Sequence, residues 1–212
     1  MPSSETVLTG LSAIANEWRS LAIVWHVLLA AFALAMLAGW PPSERLAAAL
    51  LAIPFLTVSA GAWVSGNPFN GTTFALLALV LSGSARRLPR SHVRVAPFPF
   101  AAAGAITLVY GSTYPHFLTT DSWTAYLYAS PFGLLPCPTL SVAIGITLML
   151  GMFRPPVWGF TLVAAGMAYG AIGVWRLGVV LDYGLLAGAA VLGGVLMFRA
   201  VRQRVPTDSG IQ

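Results

Sequence analysis

The chain has 212 residues, of which 58% are hydrophobic and only 8% charged, where a soluble domain carries about a quarter charged residues. Such a composition cannot supply a water-facing surface, so it excludes an ordinary soluble domain and leaves lipid as the missing skin. The formal charge is +5, but all eleven basic residues are arginines gathered at the ends of apolar runs, a membrane-topology pattern with no need of a nucleic-acid partner.

Met1 to Asn16 contains no Lys or Arg and carries Glu5, so a cleavable signal peptide is not expected. Residues 1–19 read as an amino-terminal interfacial segment, with a short helix over Leu8 to Trp18 and with Trp18 and Arg19 at the headgroup boundary. A helix crossing roughly 30 Å of hydrocarbon needs about 20 mostly apolar residues. Seven stretches approach that length: 20–40, stopped by Pro41-Pro42; 46–66; 68–85, after the Gly66-Asn67-Pro68 break; 95–113; 138–153; 156–175, opened by Pro155-Pro156; and 178–198. The third and fifth are short for a crossing. A polar and aromatic segment, 114–137, separates the fourth stretch from the fifth, and a polar tail, 199–212, follows the last.

The arginines orient these stretches. Arg86, Arg87, Arg90 and Arg94 form the strongest basic loop, which the positive-inside rule makes cytoplasmic. Counting outward from that loop puts Arg45, Arg154, Arg199, Arg202 and Arg204 on the same side. Only Arg19 and Arg176 of the eleven then fall outside, leaving nine that obey the rule. The expected fold is therefore an all-α polytopic transmembrane bundle of about seven helices, amino terminus outside and carboxyl terminus cytoplasmic. Segment 114–137 then lies on the outer face, where its aromatics suit an interfacial belt or a lid over a cavity. No internal repeat is visible, so inverted-repeat transport architecture has no direct support.

Ionisable groups within a membrane are costly and default to functional candidates. Asp182 stands near the outer end of the last stretch, six residues after Arg176. It reads either as half of an interfacial ion pair or as a cation or proton site beneath the aromatic segment. His26, beside Trp25 in the first stretch, reads as a packing histidine that donates to a neighbouring helix, and His92 as a solvated member of the basic loop. His116 shares the outer segment with Asp121 and lies near Cys137 in the chain. The Asn67-Pro68-Phe69-Asn70-Gly71 turn reads as a helix start with Asn70 capping it. Gly166-x-x-x-Gly170 and Gly184-x-x-x-Gly188 offer faces for close helix packing.

The most unusual local sequence is Phe132-Gly133-Leu134-Leu135-Pro136-Cys137-Pro138-Thr139. Pro136 and Pro138 each remove a backbone donor and disfavour helix in the residue before, which predicts extended or sharply turned backbone around Cys137. Irregular backbone at membrane depth survives only where protein or a water-filled cavity satisfies it. A helix beginning there would aim its amino-terminal dipole at a cavity and favour a reactive thiolate at Cys137. The alternative reading is a small buried hydrophobe at the start of a helix. A lone cysteine excludes an intrachain disulfide framework and a cysteine-only metal cage.

This motif resembles that of a bacterial multi-pass membrane protein family of unknown function, in which Phe-Gly-x-x-Pro-Cys-Pro-Thr precedes a Gly-containing apolar helix, here with Gly145. Asn67-Pro68 and the stretch Gly178 to Leu185 echo the same family, and together the matches run from about Trp63 to Leu192. The residues after the prolines, Leu140-Ser141-Val142-Ala143, depart from the family pattern. The resemblance implies a bacterial inner-membrane module and draws attention to Cys137 and Asp182 without implying a reaction.

The leading expectation is a small transporter or channel-like module with a polar vestibule on the outer face, built from Asn67, the 114–136 segment, Cys137 and Asp182. A second is a non-catalytic subunit or scaffold that packs against a membrane partner or a further copy of itself. A thiol-dependent enzyme, with His116 as base to Cys137 and Asp121 orienting it, ranks last. Motifs for a nucleotide, a zinc protease or haem are missing, so no cofactor is expected and no metal ligand set is identifiable.

Overall fold

The computed structural model describes residues 3–151 and 154–202. Phe153, at the end of the fifth expected stretch, and Arg204 with the tail beyond it lie outside the described residues. Among those described, the chain forms eight α-helices: α1 Ser4–Glu17, α2 Arg19–Leu37, α3 Glu44–Val64, α4 Pro68–Ala85, α5 Phe98–Ser112, α6 Pro136–Met149, α7 Pro156–Ala171 and α8 Tyr183–Arg202. Four apolar helical runs, Arg19–Leu37, Glu44–Val64, Pro156–Arg176 and Val180–Arg202, are long enough to cross a membrane. They mark the chain as a membrane protein. The α5 and α6 helices are apolar but shorter.

The helix boundaries follow local chemistry. Ser3 and Ser43 accept from the backbone N–H groups of Thr6 and Leu46 to cap α1 and α3. At α4 the cap is Asn67, whose side chain accepts from the N–H of Asn70. This corrects the expectation that Asn70 caps: Asn70 lies inside the helix, and its Oδ1 accepts instead from the Tyr169 hydroxyl at 3.0 Å. The Pro-Cys-Pro run also departs from expectation, because only Leu135 is extended and Pro136, Cys137 and Pro138 already belong to the first turn of α6. Prolines there cost no hydrogen bond, since first-turn N–H groups have no intrahelical partner.

The irregular backbone lies just upstream, over residues 128–135. Its buried part is held by hydroxyls: Thr57 donates to the Gly133 carbonyl, Ser130 donates to the Tyr114 carbonyl, and Thr139 accepts from the Gly133 N–H. Gly133 is required twice over, by its φ of +79° and because a Cβ there would sit 2.2 Å from the Trp25 ring.

Three helical hairpins, α3–α4, α5–α6 and α7–α8, make the bundle, with α6 touching α3, α5, α7 and α8 at its centre. Backbone hydrogen bonds from Glu44 to Ser91, Val93 to Pro42 and Ala96 to Met149 gather the connections 38–43 and 86–97 and the described residues between α6 and α7 at one end. The connections 65–67, 113–135 and 172–182 therefore lie at the other end. Of the ten described arginines, all but Arg19 and Arg176 belong to the first end. The α2 helix is peripheral, burying only Ala22, Trp25 and His26. His26 anchors it, with one ring nitrogen 2.7 Å from the Ser112 carbonyl oxygen at the end of α5.

The tightest helix crossing is α5 on α6. A Cβ on Gly104 would meet Met149 N at 2.4 Å and Gly145 O at 2.6 Å, and one on Gly145 would meet Leu108 N at 2.5 Å. The glycines noted in α7 and α8 also pack closely, Gly166 on Ile144 and Ala189, and Gly184 on Tyr110. Because the atoms facing Gly104 are backbone, no rotamer change makes room. Gly104→Ala is expected to cost about 1–3 kcal/mol through overpacking, measured as unfolding in mixed detergent micelles. Gly83→Ala, on a helix surface with nothing within 4 Å of the added carbon, is expected to cost nothing.

Candidate functional site

Asp182 is 2% exposed, and its carboxyl is satisfied by groups distant in sequence. The Tyr114 hydroxyl donates to Oδ1 at 2.7 Å and the Cys137 thiol donates to Oδ2 at 3.2 Å. Its own N–H donates to the Val179 carbonyl, and the Val179 N–H to that of Gly173. Tyr110 donates to the Leu181 carbonyl and stacks edge-on against Tyr114. Burial first, and then the neighbouring Asp182, push the Tyr114 phenol above its ordinary range, so this group remains a donor.

Local backbone makes the space. Beyond α7 the chain continues as a π turn over Ile172–Arg176, and a 3₁₀ turn over Val180–Asp182 leads into α8. A Cβ on Gly173 would lie 1.7 Å from Asp182 Oδ2, so the carboxyl sits directly on the bare backbone of the π turn. Single π turns are rare and concentrate at functional sites. Asp182 therefore precedes α8 and does not lie inside it as expected.

Cys137 and Asp182 open onto a cavity of about 240 Å³, which Asn67, Asn70, Pro136, Pro138, Tyr169 and Arg176 also line. Asn67, the two prolines, Cys137 and Asp182 were singled out in sequence and meet here. His116 and Asp121 do not: both are exposed and neither lines the cavity. His116 stacks edge-on against Phe117. The polar partner of Cys137 is thus a carboxyl and not an imidazole. The thiol points at that carboxyl as a hydrogen-bond donor. Arg176 shares the cavity with Asp182, whose carboxyl is held by Tyr114 and Cys137. Among the described residues no three of His, Cys, Asp and Glu come together as a metal site.

The cavity also departs from a polar vestibule. Val7, Leu11, Phe69, Phe117, Leu135 and Ile172 make its walls largely apolar, with the polar groups as isolated points. Over it lies α1, with Val7 and Leu11, while Phe117 alone of the aromatic segment's rings lines it. Asn16 fastens that cover: its Nδ2 donates to the Phe117 carbonyl at 2.9 Å and its Oδ1 accepts from the Thr119 N–H at 2.9 Å. Ser4 ties the other end to the Arg176 carbonyl at 3.0 Å. In the aromatic segment Trp123 and Tyr128 are exposed while Tyr114 and Phe132 are buried, so it serves partly as belt and partly as packing. Sequence reasoning missed Tyr114 as a ligand of the carboxyl and α1 as the cover.

Two outcomes follow. Tyr114→Phe leaves Asp182 Oδ1 without its donor and is expected to lower stability by about 1–3 kcal/mol, read from detergent unfolding curves. Asn16→Ala releases α1 and is expected to raise the rate of Cys137 alkylation by a small maleimide roughly ten- to a hundred-fold, the scale of two lost hydrogen bonds. An unchanged rate would show that α1 does not control access to the thiol.

No family model, curated protein or solved structure matches the chain, so the functional reading rests on this geometry.

Proposed function

We propose that the chain is a multi-pass protein of the bacterial inner membrane with seven spanning helices, α2 to α8, and with the cavity end outside. The cavity binds a small amphipathic molecule as the outer site of a transporter or channel-like module. One observation carries the reading: Asn67, Cys137 and Asp182, from three separate regions, line one cavity at the end opposite the arginine cluster. The positive-inside rule puts that end outside. Membership of the Pro-Cys-Pro family is part of the same reading.

The cavity's walls and its acid define the ligand class. A naked inorganic ion gains nothing from Val7, Leu11 and Phe69, whereas an apolar body does. A carboxylate offers about four lone-pair positions, and Tyr114 and Cys137 take two. Asp182 therefore has capacity for a donor or cationic head on the ligand. A volume of about 240 Å³ is below the range usual for drug-sized ligands, which limits the guest to a small molecule.

The α2 helix supports a second reading, as a subunit docked on a membrane partner or on another copy. Val24, Val27, Leu28, Leu34 and Leu37 are all exposed on it, more apolar surface than its few intrachain contacts use.

The ligand reading is tested on the purified full chain in neutral detergent with phenyltrimethylammonium as probe and benzenesulfonate as its anionic counterpart. The ammonium is expected to raise the unfolding midpoint of the wild type, and Asp182→Asn is expected to abolish the rise. An equal rise in Asp182→Asn, or a larger one with the sulfonate, contradicts the assignment of Asp182.

A further inference from the structure

We infer that the arginine-rich end carries a binding site for the headgroup of an anionic phospholipid. The site is a crevice of about 490 Å³ where the loop after α4, the start of α7 and the last turns of α8 meet. Arg87, Arg154 and Arg199 line it, one from each element, above a floor that includes Pro156, Phe160 and Leu196. Among the described residues no acid lines the crevice.

Orientation in the membrane explains why arginines lie at this end, and the α8 dipole favours a cation such as Arg199 in its last turn. Neither explains why three guanidinium groups from separate elements converge on one apolar-floored crevice. Convergent guanidinium groups over an apolar floor match an anionic head with an apolar body. A phosphodiester suits them, since guanidinium offers a planar fork of donors that matches phosphate oxygens.

The floor selects the source of the phosphate. Free phosphate gains nothing from Phe160 and Leu196, but the acyl chains of a lipid anchored at the arginines continue onto the face of α7, where Val157 is 48% and Phe160 44% exposed. Beside the crevice Arg202 lies over the Phe198 ring at 4.5 Å, a cation–π pair suited to the boundary between headgroups and chains. Basic crevices between membrane helices are a known form of headgroup recognition. This inference does not depend on the cavity reading.

The test adds phosphatidylglycerol, phosphatidylcholine of the same acyl chains, or inorganic phosphate to the delipidated full chain in neutral detergent and follows its unfolding midpoint. Phosphatidylglycerol alone is expected to stabilise the wild type. Replacing Arg87, Arg154 and Arg199 together by Gln is expected to weaken its apparent affinity about a hundred-fold. Arg154→Gln by itself supplies the measurement if the triple variant does not fold, with about a five-fold loss expected. A double variant, Arg86→Gln with Arg90→Gln, removes charge beside the crevice and is expected to retain most of the response. Equal stabilisation by phosphatidylcholine overturns the site, as does an equal loss in the double variant. Stabilisation by inorganic phosphate as large as that by phosphatidylglycerol overturns the lipid assignment.

Discussion

A carboxyl group withdrawn from water inside a lipid-bounded bundle has to be hydrogen-bonded, because an unsatisfied one costs several kcal/mol. The cavity end of this protein is organised around meeting that demand for Asp182. Gly173 removes the side chain that would collide with the carboxyl, and the π turn presents its bare backbone. Tyr114 and Cys137 approach from the α5–α6 connection and the first turn of α6. The carboxyl thus ties α5, α6, α7 and α8 together at one point, and that point opens onto the cavity.

The central helix shows the same rule applied to backbone. At 1.5 Å per residue, the fourteen residues of α6 reach about 21 Å, short of the roughly 30 Å of hydrocarbon. Ahead of it the chain runs as the non-helical stretch 128–135. That run is tolerated because Thr57, Ser130 and Thr139 serve its backbone and because residues 129–136 are buried in protein.

What the sequence revealed tracks the range of the interaction concerned. Helix breaks at Pro41-Pro42, Asn67-Pro68 and Pro155-Pro156 are local steric events, and the helices begin or end within a few residues of them. The two prolines around Cys137 misled because proline disrupts a helix interior but suits a first turn, and only the fold tells which applies. The thiol–carboxyl pair spans 45 residues and the phenol–carboxyl pair 68, so neither leaves a periodic trace. The Gly104–Gly145 crossing was hidden for the same reason. Asn67, Cys137 and Asp182 were picked out because polar groups are scarce in this chain. Nothing local shows that α1 covers them or that their cavity has apolar walls.

The two ends of the bundle are chemically opposite, one holding the covered acid and the other the arginines, and the functional account requires them to face opposite sides of a membrane. The most direct measurement uses Cys137→Ser protein in intact cells with two added single cysteines, Thr120→Cys at the cavity end and Ser91→Cys at the arginine end. A membrane-impermeant maleimide is predicted to label position 120 in intact cells and position 91 only after permeabilisation. Labelling of both positions from the same side, or of position 91 alone in intact cells, would contradict the account.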